Sequence, residues 1–227
     1  MLYQEIYDNF ISGLHGRPEE VSYNLLLKWA VYCRTCPEGT VPLNLQSKLN
    51  HNINSLTDWL SNAGFYTSPA STKYHEAYKG GLCHHSLKVA QNMIMLHKLE
   101  AFATVDLASA VLVALVHDWC KIGFYESYEK NVKDEYGNWV KQLAYKYTDE
   151  PTMPLGHGVS SMFLAGKWFQ LTAEEALAIR WHMGAWRVVD SECNELQAAN
   201  EKYPLVHMLQ FADQLSITQY CNPETNL

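Results

Sequence analysis

The sequence predicts an all-α fold interrupted by one β-hairpin. Most of the chain repeats apolar residues at the helical spacing i, i+3 and i+4, and capping or stop signals bound these segments. One stretch, between Gly123 and Leu155, breaks that period. With 227 residues, 48% of them apolar, the chain can bury a substantial core. No repeat or linker-like tract divides it, so we expect a single domain over residues 1–227.

Two amphipathic helices are predicted within residues 1–70, as a helical N-terminal extension. The first covers Val21–Arg34 and ends before the stop signal Cys36–Gly39, and the second covers Asn44–Ala63. Five more helices are predicted beyond them: Gly81–Leu99, Leu107–Trp119, Gly158–Gln170, Thr172–His182 and Tyr203–Tyr220.

A hairpin is predicted inside the insertion at residues 124–155. Aromatic and β-branched residues in Asn131–Tyr136 and Trp139–Tyr145 flank the two-residue turn signal Gly137-Asn138. A connection of this length serves either as a lid or binding loop or as a surface decoration, and the sequence leaves both open.

Composition excludes several classes of protein. Lys plus Arg number 17 against 24 Asp plus Glu, a net charge of −7 that is unsuited to an extended nucleic-acid surface. The apolar run Ala108–Val116 is about half the ~20 residues that a membrane span needs, and the first residues lack the basic start of a secretion signal. We therefore expect a soluble cytoplasmic protein with no membrane partner. The six cysteines are sparse and are interpreted as reduced structural thiols.

Inward-facing histidines and carboxylates predict a metal site. His85 shares a helical stripe with apolar residues, the buried helix Leu107–Trp119 contains the pair His117-Asp118 near its end, and Asp213 lies on the inward stripe of the last helix. A buried carboxylate needs a partner, and His and Asp side chains are ligands that first-row divalent cations accept. Each of these residues alone has the alternative interpretation of a satisfied core residue.

Two further histidines fit the same centre. His157 stands at the start of one predicted helix, and His182 ends the stripe of another. Together with Asp118 as a bridging carboxylate they would hold a second cation, and a pair of cations roughly 3.5–4 Å apart is a known arrangement for phosphoryl transfer.

These residues resemble, in order and in local motif, the HD-domain superfamily of metal-dependent phosphohydrolases. Gly80–Leu87 (GGLCHHSL) is similar to the family's Gly-Gly-Leu-x-x-His-Ser/Thr-Leu opening. His117–Gly123 (HDWCKIG) is similar to its His-Asp-x-x-Lys-x-Gly core, and Ala212–Ser216 (ADQLS) to its closing motif. The resemblance spans an HD core at about residues 74–216. It leaves residues 1–70 and the hairpin unexplained.

The resemblance implies an HD-type helical bundle with one or two divalent cations per chain, of a metal (Mn, Fe, Co, Ni, Zn or Mg) that the sequence does not distinguish. It assigns the first cation to His85, His117, Asp118 and Asp213. It assigns the second to His157 and His182 with Asp118.

The expected reaction is hydrolysis of a phosphomonoester or phosphodiester by metal-activated water. Asp118 would bind the cations and orient the water, and Lys121 would contact the substrate phosphate. His75 would protonate the leaving group or contact phosphate, and Arg187 is a further substrate-binding candidate. We expect a small phosphorylated substrate, a nucleotide or the end of an oligonucleotide. Two alternatives stay open: a non-catalytic phospholigand sensor, and a di-iron oxygenase on an HD scaffold.

Overall fold

Most of the chain is helical, as its periodicity predicts. The computed structural model describes residues 18–36, 43–149, 153, 155–186 and 188–218. Within these ranges lie eight α-helices: α1 (Glu19–Thr35), α2 (Leu43–Asn62), α3 (Gly81–Leu96), α4 (Leu107–Val116), α5 (His157–Gly166), α6 (Ala173–Trp181), α7 (Cys193–Lys202) and α8 (Pro204–Thr218). None of the described helices is both long and apolar enough to cross a membrane.

Helix α4 lies at the centre of the core. Its residues from Ala110 to Val116 are all buried, as an uninterrupted apolar sequence requires. Asp106 begins the helix by accepting a hydrogen bond from the Ser109 amide at 2.7 Å. Helices α1, α3, α6 and α8 pack around it. The end of α4, which leads directly into His117 and Asp118, is therefore held on several sides.

The N-terminal extension fixes the end of α4. The hydroxyl of Tyr23 on α1 donates to the Leu115 carbonyl at 2.7 Å and accepts a hydrogen bond from Trp119 Nε1 at 3.0 Å. Trp59 on α2 packs against the Trp119 ring at a centroid distance of 5.5 Å. Residues outside the expected HD core thus hold both sides of the His117-Asp118 pair.

Two glycines allow close approaches that position candidate ligands. A Cβ at Gly81 would lie 2.0 Å from the Glu76 carbonyl oxygen, so the start of α3 rests directly on the loop that carries His75. A Cβ at Gly158 would lie 2.0 Å from the Arg180 carbonyl oxygen, which brings α5 against α6 next to His157. Any larger residue would separate these elements.

The predicted hairpin is confirmed, with longer strands. β1 (Tyr125–Lys133) pairs antiparallel with β2 (Trp139–Tyr147) in the register that places Lys133 opposite Trp139. The prediction of a two-residue turn at Gly137-Asn138 is wrong. Residues 134–138 form the connection, in which the Asp134 carboxylate accepts hydrogen bonds from the backbone amides of Tyr136 and Asn138 at 2.9 and 2.8 Å.

Other differences from the predicted elements have simple causes. Helix α4 ends at Val116 rather than Trp119, because Asp118 leaves the helical conformation with φ −110° and ψ 17°. Helices α3 and α5 also end earlier than predicted, at Leu96 and Gly166. The sequence analysis missed α7 because that helix is mostly polar and buries only Leu196 and Ala199. None of the five described cysteines forms a disulfide.

Candidate metal centre

Asp118 lies at the centre of the candidate site, and one of its oxygens faces the α3 side of the site. Oδ2 lies 2.6 Å from Lys121 Nζ, 3.3 Å from His85 Nε2 and 3.5 Å from His117 Nε2. The carboxylate is 2% exposed, so these contacts replace water. This oxygen belongs to the first cation position, defined as His85, His117, Asp118 and Asp213.

The other oxygen of Asp118 faces a separate pair of histidines. Oδ1 lies 2.7 Å from His157 Nε2 and 3.6 Å from His182 Nε2. The two imidazole rings are 5.2 Å apart between centroids. This side is the second cation position, defined as Asp118, His157 and His182. One carboxylate is thus divided between two groups of nitrogen donors.

Asp213, on α8, completes the first position. Its Oδ1 lies 3.1 Å from His85 Nε2 and 4.0 Å from His117 Nε2, and the two histidine nitrogens are 3.3 Å apart. His85, His117 and Asp213 offer donor atoms that all lie within 4.8 Å of one another. Helices α3 and α8 and the segment after α4 therefore converge on one point of the core.

Local hydrogen bonds orient three of the histidines. His117 and His182 each follow the last residue of a helix, and their Nδ1 atoms donate to backbone carbonyls one turn earlier, Ala114 at 2.8 Å and Ile179 at 2.7 Å. His85 Nδ1 donates to Ser216 Oγ at 3.2 Å. With Nδ1 donating in this way, each Nε2 faces Asp118 and, once it carries no proton, can bind a metal, which is the arrangement of a metal-ligating histidine.

The donor set fits a divalent cation. His182 Nε2 is buried and has no hydrogen-bond partner in the described part of the chain, which is unfavourable by about 1–3 kcal/mol for a polar atom removed from water. Two buried carboxylates, Asp118 and Asp213, face the same space. A cation bound to these groups would satisfy the unpartnered nitrogen and neutralise the carboxylates.

The pKa values of His85 and Asp118 show the same need for positive charge beside the carboxylates. Burial alone would lower the pKa of His85, but its hydrogen bonds to Asp118 and Asp213 outweigh burial and raise the pKa to about 9. Burial would raise the pKa of Asp118, but Lys121 and His117 hold it well below its usual range. Without a metal, the carboxylates therefore keep a proton on His85. A divalent cation would take the place of that proton.

His75 and Glu76 lie on the outer side of His85. The His75 ring is 5.0 Å from the His85 ring, and burial, with the positive charges of His85 and Lys121, lowers the pKa of His75 to about 4. Glu76 is buried, has φ +41°, and its Oε1 lies 3.1 Å from Lys88 Nζ. Glu76 is not among the predicted site residues, although it directly follows the candidate His75 in the sequence.

The structure brings together all six residues predicted as metal ligands, and it places Lys121 and His75 beside them. Arg187 lies outside the described residues. The sequence analysis also missed the contribution of Cys120 and Ser216. Cys120 stands between two predicted site residues, but it was interpreted as a structural thiol. The contact between Ser216 and His85 joins residues 131 positions apart, so no local pattern indicates it.

Comparison with known proteins yields no relative. No family model matches the chain, no curated protein matches it, and no solved structure matches it. The site is therefore interpreted from its own geometry and from the motifs of the sequence.

Proposed function

We propose that this protein is an HD-type metal-dependent phosphohydrolase. Its substrate would be a phosphomonoester or phosphodiester of a nucleotide or an oligonucleotide end. The observation that carries the proposal is the division of the Asp118 carboxylate, with Oδ2 toward His85 and His117 and Oδ1 toward His157 and His182. A carboxylate shared in this way is suited to bridging two cations. Two adjacent divalent cations, when bound, would lower the pKa of a bound water and stabilise both the attacking and the leaving oxygen.

Lys121 keeps Asp118 ionised. Its Nζ is buried and lies 2.6 Å from Asp118 Oδ2, and this contact raises the pKa of Lys121 against the opposite effect of burial. The resulting negative charge on Asp118 is required for cation binding. An ammonium has three N–H donors, so Lys121 retains donors for a phosphoryl oxygen of the substrate.

His75 is suited to contacting phosphate rather than to protonating a leaving group. With a pKa of about 4 it is neutral at neutral pH, so the imidazolium needed for proton donation is scarce. A neutral imidazole still has one N–H donor. His75 Nε2 is buried without a hydrogen-bond partner among the residues that the structure describes, so a substrate oxygen would satisfy it.

Substrate approaches from the side of His157. The side chain of His157 is 33% exposed, whereas those of the other five ligands are at most 11% exposed. Lys121 interacts electrostatically with Tyr125, the first residue of β1, so the base of the hairpin adjoins this opening. A small phosphate ester fits such an approach, and the net charge of −7 disfavours a long polyanion.

The test combines metal content with hydrolysis of phosphate esters. We expect about two divalent cations per chain in protein purified without chelator, and with Mn²⁺ or Co²⁺ either phosphate release from nucleotides or shortened products from oligonucleotides, separated by chromatography. Asp118→Asn should lose both properties and remain folded. Asp58→Asn, an exposed position on α2, is the matched control and should keep both.

Two results would overturn the proposal. One is an Asp118→Asn variant with the activity of the unaltered protein. The other is a metal-loaded protein that hydrolyses no phosphomonoester and no phosphodiester of the panel. Bound iron with oxygen consumption would then favour the oxygenase, and binding of a phosphorylated ligand without turnover would favour the sensor.

A further inference from the structure

The thiol of Cys120 lies beside the second cation position. It lies in the short 3₁₀ turn Trp119–Lys121, and its Sγ is 3.2 Å from His157 Nδ1 and 3.8 Å from His157 Nε2. Asp118, Cys120 and His157 offer donor atoms that all lie within 4.8 Å of one another. The Cys120 amide donates to Ser161 Oγ on α5 at 3.1 Å, so the turn is fixed against the helix that begins with His157.

The separation of sulfur and nitrogen matches that of two ligands on one cation. Zinc–sulfur bonds of about 2.3 Å and zinc–nitrogen bonds of about 2.05 Å, at a tetrahedral angle, place the two atoms about 3.6 Å apart. His157 Nε2, the ring nitrogen that faces Asp118, lies 3.8 Å from Cys120 Sγ, close to this value.

His182 gives an independent indication that this position takes a ligand. Its Nε2 is buried, has no hydrogen-bond partner among the described residues, and faces Asp118 Oδ1 at 3.6 Å. Asp118, Cys120 and His157 together offer one carboxylate oxygen, one sulfur and one imidazole nitrogen, and His182 adjoins them through Asp118. A donor set that includes sulfur and imidazole is typical of zinc, cobalt or iron and not of magnesium, which prefers oxygen ligands.

We propose that Cys120 binds the second cation as a thiolate and gives this position its preference for zinc, cobalt or iron over magnesium. The first position has only nitrogen and oxygen donors, so the sulfur ligand distinguishes the second position from it. On binding, a sulfur–metal bond replaces the S–H bond and the proton leaves to water, so no oxidant or reductant is needed. The inference rests on the two-cation centre of the proposed function but not on its hydrolytic activity.

The test is a spectroscopic titration of the metal-free full-length protein with Co²⁺, and in parallel with Cd²⁺. Thiolate ligation gives a sulfur-to-metal charge-transfer absorption that oxygen and nitrogen ligands do not give. We expect this absorption in the unaltered protein and its loss in Cys120→Ser. Cys193→Ser, which removes an exposed thiol elsewhere on the chain, is the matched control and should keep the absorption.

Zinc affinity provides a second measurement. Cys120→Ser should bind the second equivalent of Zn²⁺ at least tenfold more weakly and the first equivalent unchanged, because the first position does not include Cys120. Serine is nearly isosteric with cysteine, and thermal unfolding of the metal-free variant verifies that the fold is kept.

The outcomes separate this inference from the proposed function. Two cations bound with the same absorption in Cys120→Ser as in the unaltered protein would refute the role of Cys120 and leave the phosphohydrolase proposal standing. An absorption that depends on Cys120, in a protein that hydrolyses no phosphate ester, would support the inference and refute the hydrolase. A protein that binds no cation at all would refute both.

Discussion

Replacing Gly158 by alanine would separate α5 from α6 at the point where they bring His157 and His182 together. The added Cβ would lie 2.0 Å from the Arg180 carbonyl oxygen, whereas ordinary van der Waals contact begins at 3.4 Å. The helices must therefore move apart by about 1.0–1.4 Å. The contact is between a backbone carbonyl and a methyl group, and neither can rotate away.

The expected consequences are a loss of stability and a loss of cation binding at the second position. Overpacking of this kind destabilises a core by roughly 1–3 kcal/mol, and each kcal/mol lowers the Tm of a chain of this size by about 2–4 °C. A shift of about 1 Å in catalytic groups can lower turnover about 100-fold. His157 is adjacent to the substituted residue and His182 is two residues from Arg180, so both ligands move.

The control lies on the same helix. A Cβ at Gly166 would meet no atom within 4 Å, and alanine is the better helix former by up to ~1 kcal/mol, so Gly166→Ala should leave Tm unchanged or raise it. The assays are thermal unfolding with and without zinc, and titration of the second zinc equivalent. A Gly158→Ala protein with the Tm and the zinc affinity of the unaltered chain would refute the close-approach argument.

Three further predictions concern charge and the hairpin. In metal-free protein the raised pKa of His85, about 9, contributes stability that is fully present below the ordinary histidine pKa of about 6.5 and is lost as pH rises through about 9. Tm after chelation should therefore fall over that interval, and excess zinc should remove the fall; a flat profile without zinc would contradict this. Lys121→Met leaves the buried Asp118 without its ammonium partner and should destabilise the protein by about 3–5 kcal/mol and reduce turnover, whereas Lys141→Met, in an exposed pair, should change neither. If the two variants lose the same amount of stability, the buried pair of Lys121 and Asp118 contributes no more to stability than the exposed pair. Replacing residues 130–142 by Asn-Gly shortens the exposed hairpin and joins two strand positions that are already paired, so the Tm should be unchanged. The relative rates on different substrates should change. If the shortened protein has the rates of the unaltered protein on every substrate, the hairpin is a surface decoration.

The fold could be predicted where burial imposes a period on the sequence. Apolar stripes located α1 to α6 and α8, because each of these helices buries one face or, for α4, its whole circumference. Helix α7 buries only Leu196 and Ala199, which is too little apolar surface to produce a stripe. The hairpin turn was misplaced because the Asp134 side chain, and not the Gly137-Asn138 pair alone, organises the connection.

The candidate site could be predicted as a set of residues but not as a geometry. Helical phase indicates that His85 and Asp213 point inward, but it gives no information on which oxygen of Asp118 faces which histidine. The orientation of His85 depends on Ser216, and the position of His117 depends on the contact of Tyr23 with the end of α4. These contacts join distant parts of the chain, so they appear only once the helices pack.

The local charge of the centre explains how an acidic protein could attract a phosphate ester. Asp118 and Asp213 together with Lys121 contribute a net charge of −1 to the centre, and two divalent cations would bring that to about +3. A Cys120 thiolate would reduce it to about +2, which balances the charge of about −2 on a phosphomonoester near neutral pH. Cys120→Ser removes the negative charge of the thiolate. At zinc concentrations that fill both positions, the variant should therefore bind inorganic phosphate, the anionic product, more tightly. This should hold even though its affinity for the second zinc is lower. Inhibition by inorganic phosphate measures this: a lower inhibition constant in Cys120→Ser at saturating zinc is expected, and a higher one would contradict the charge argument.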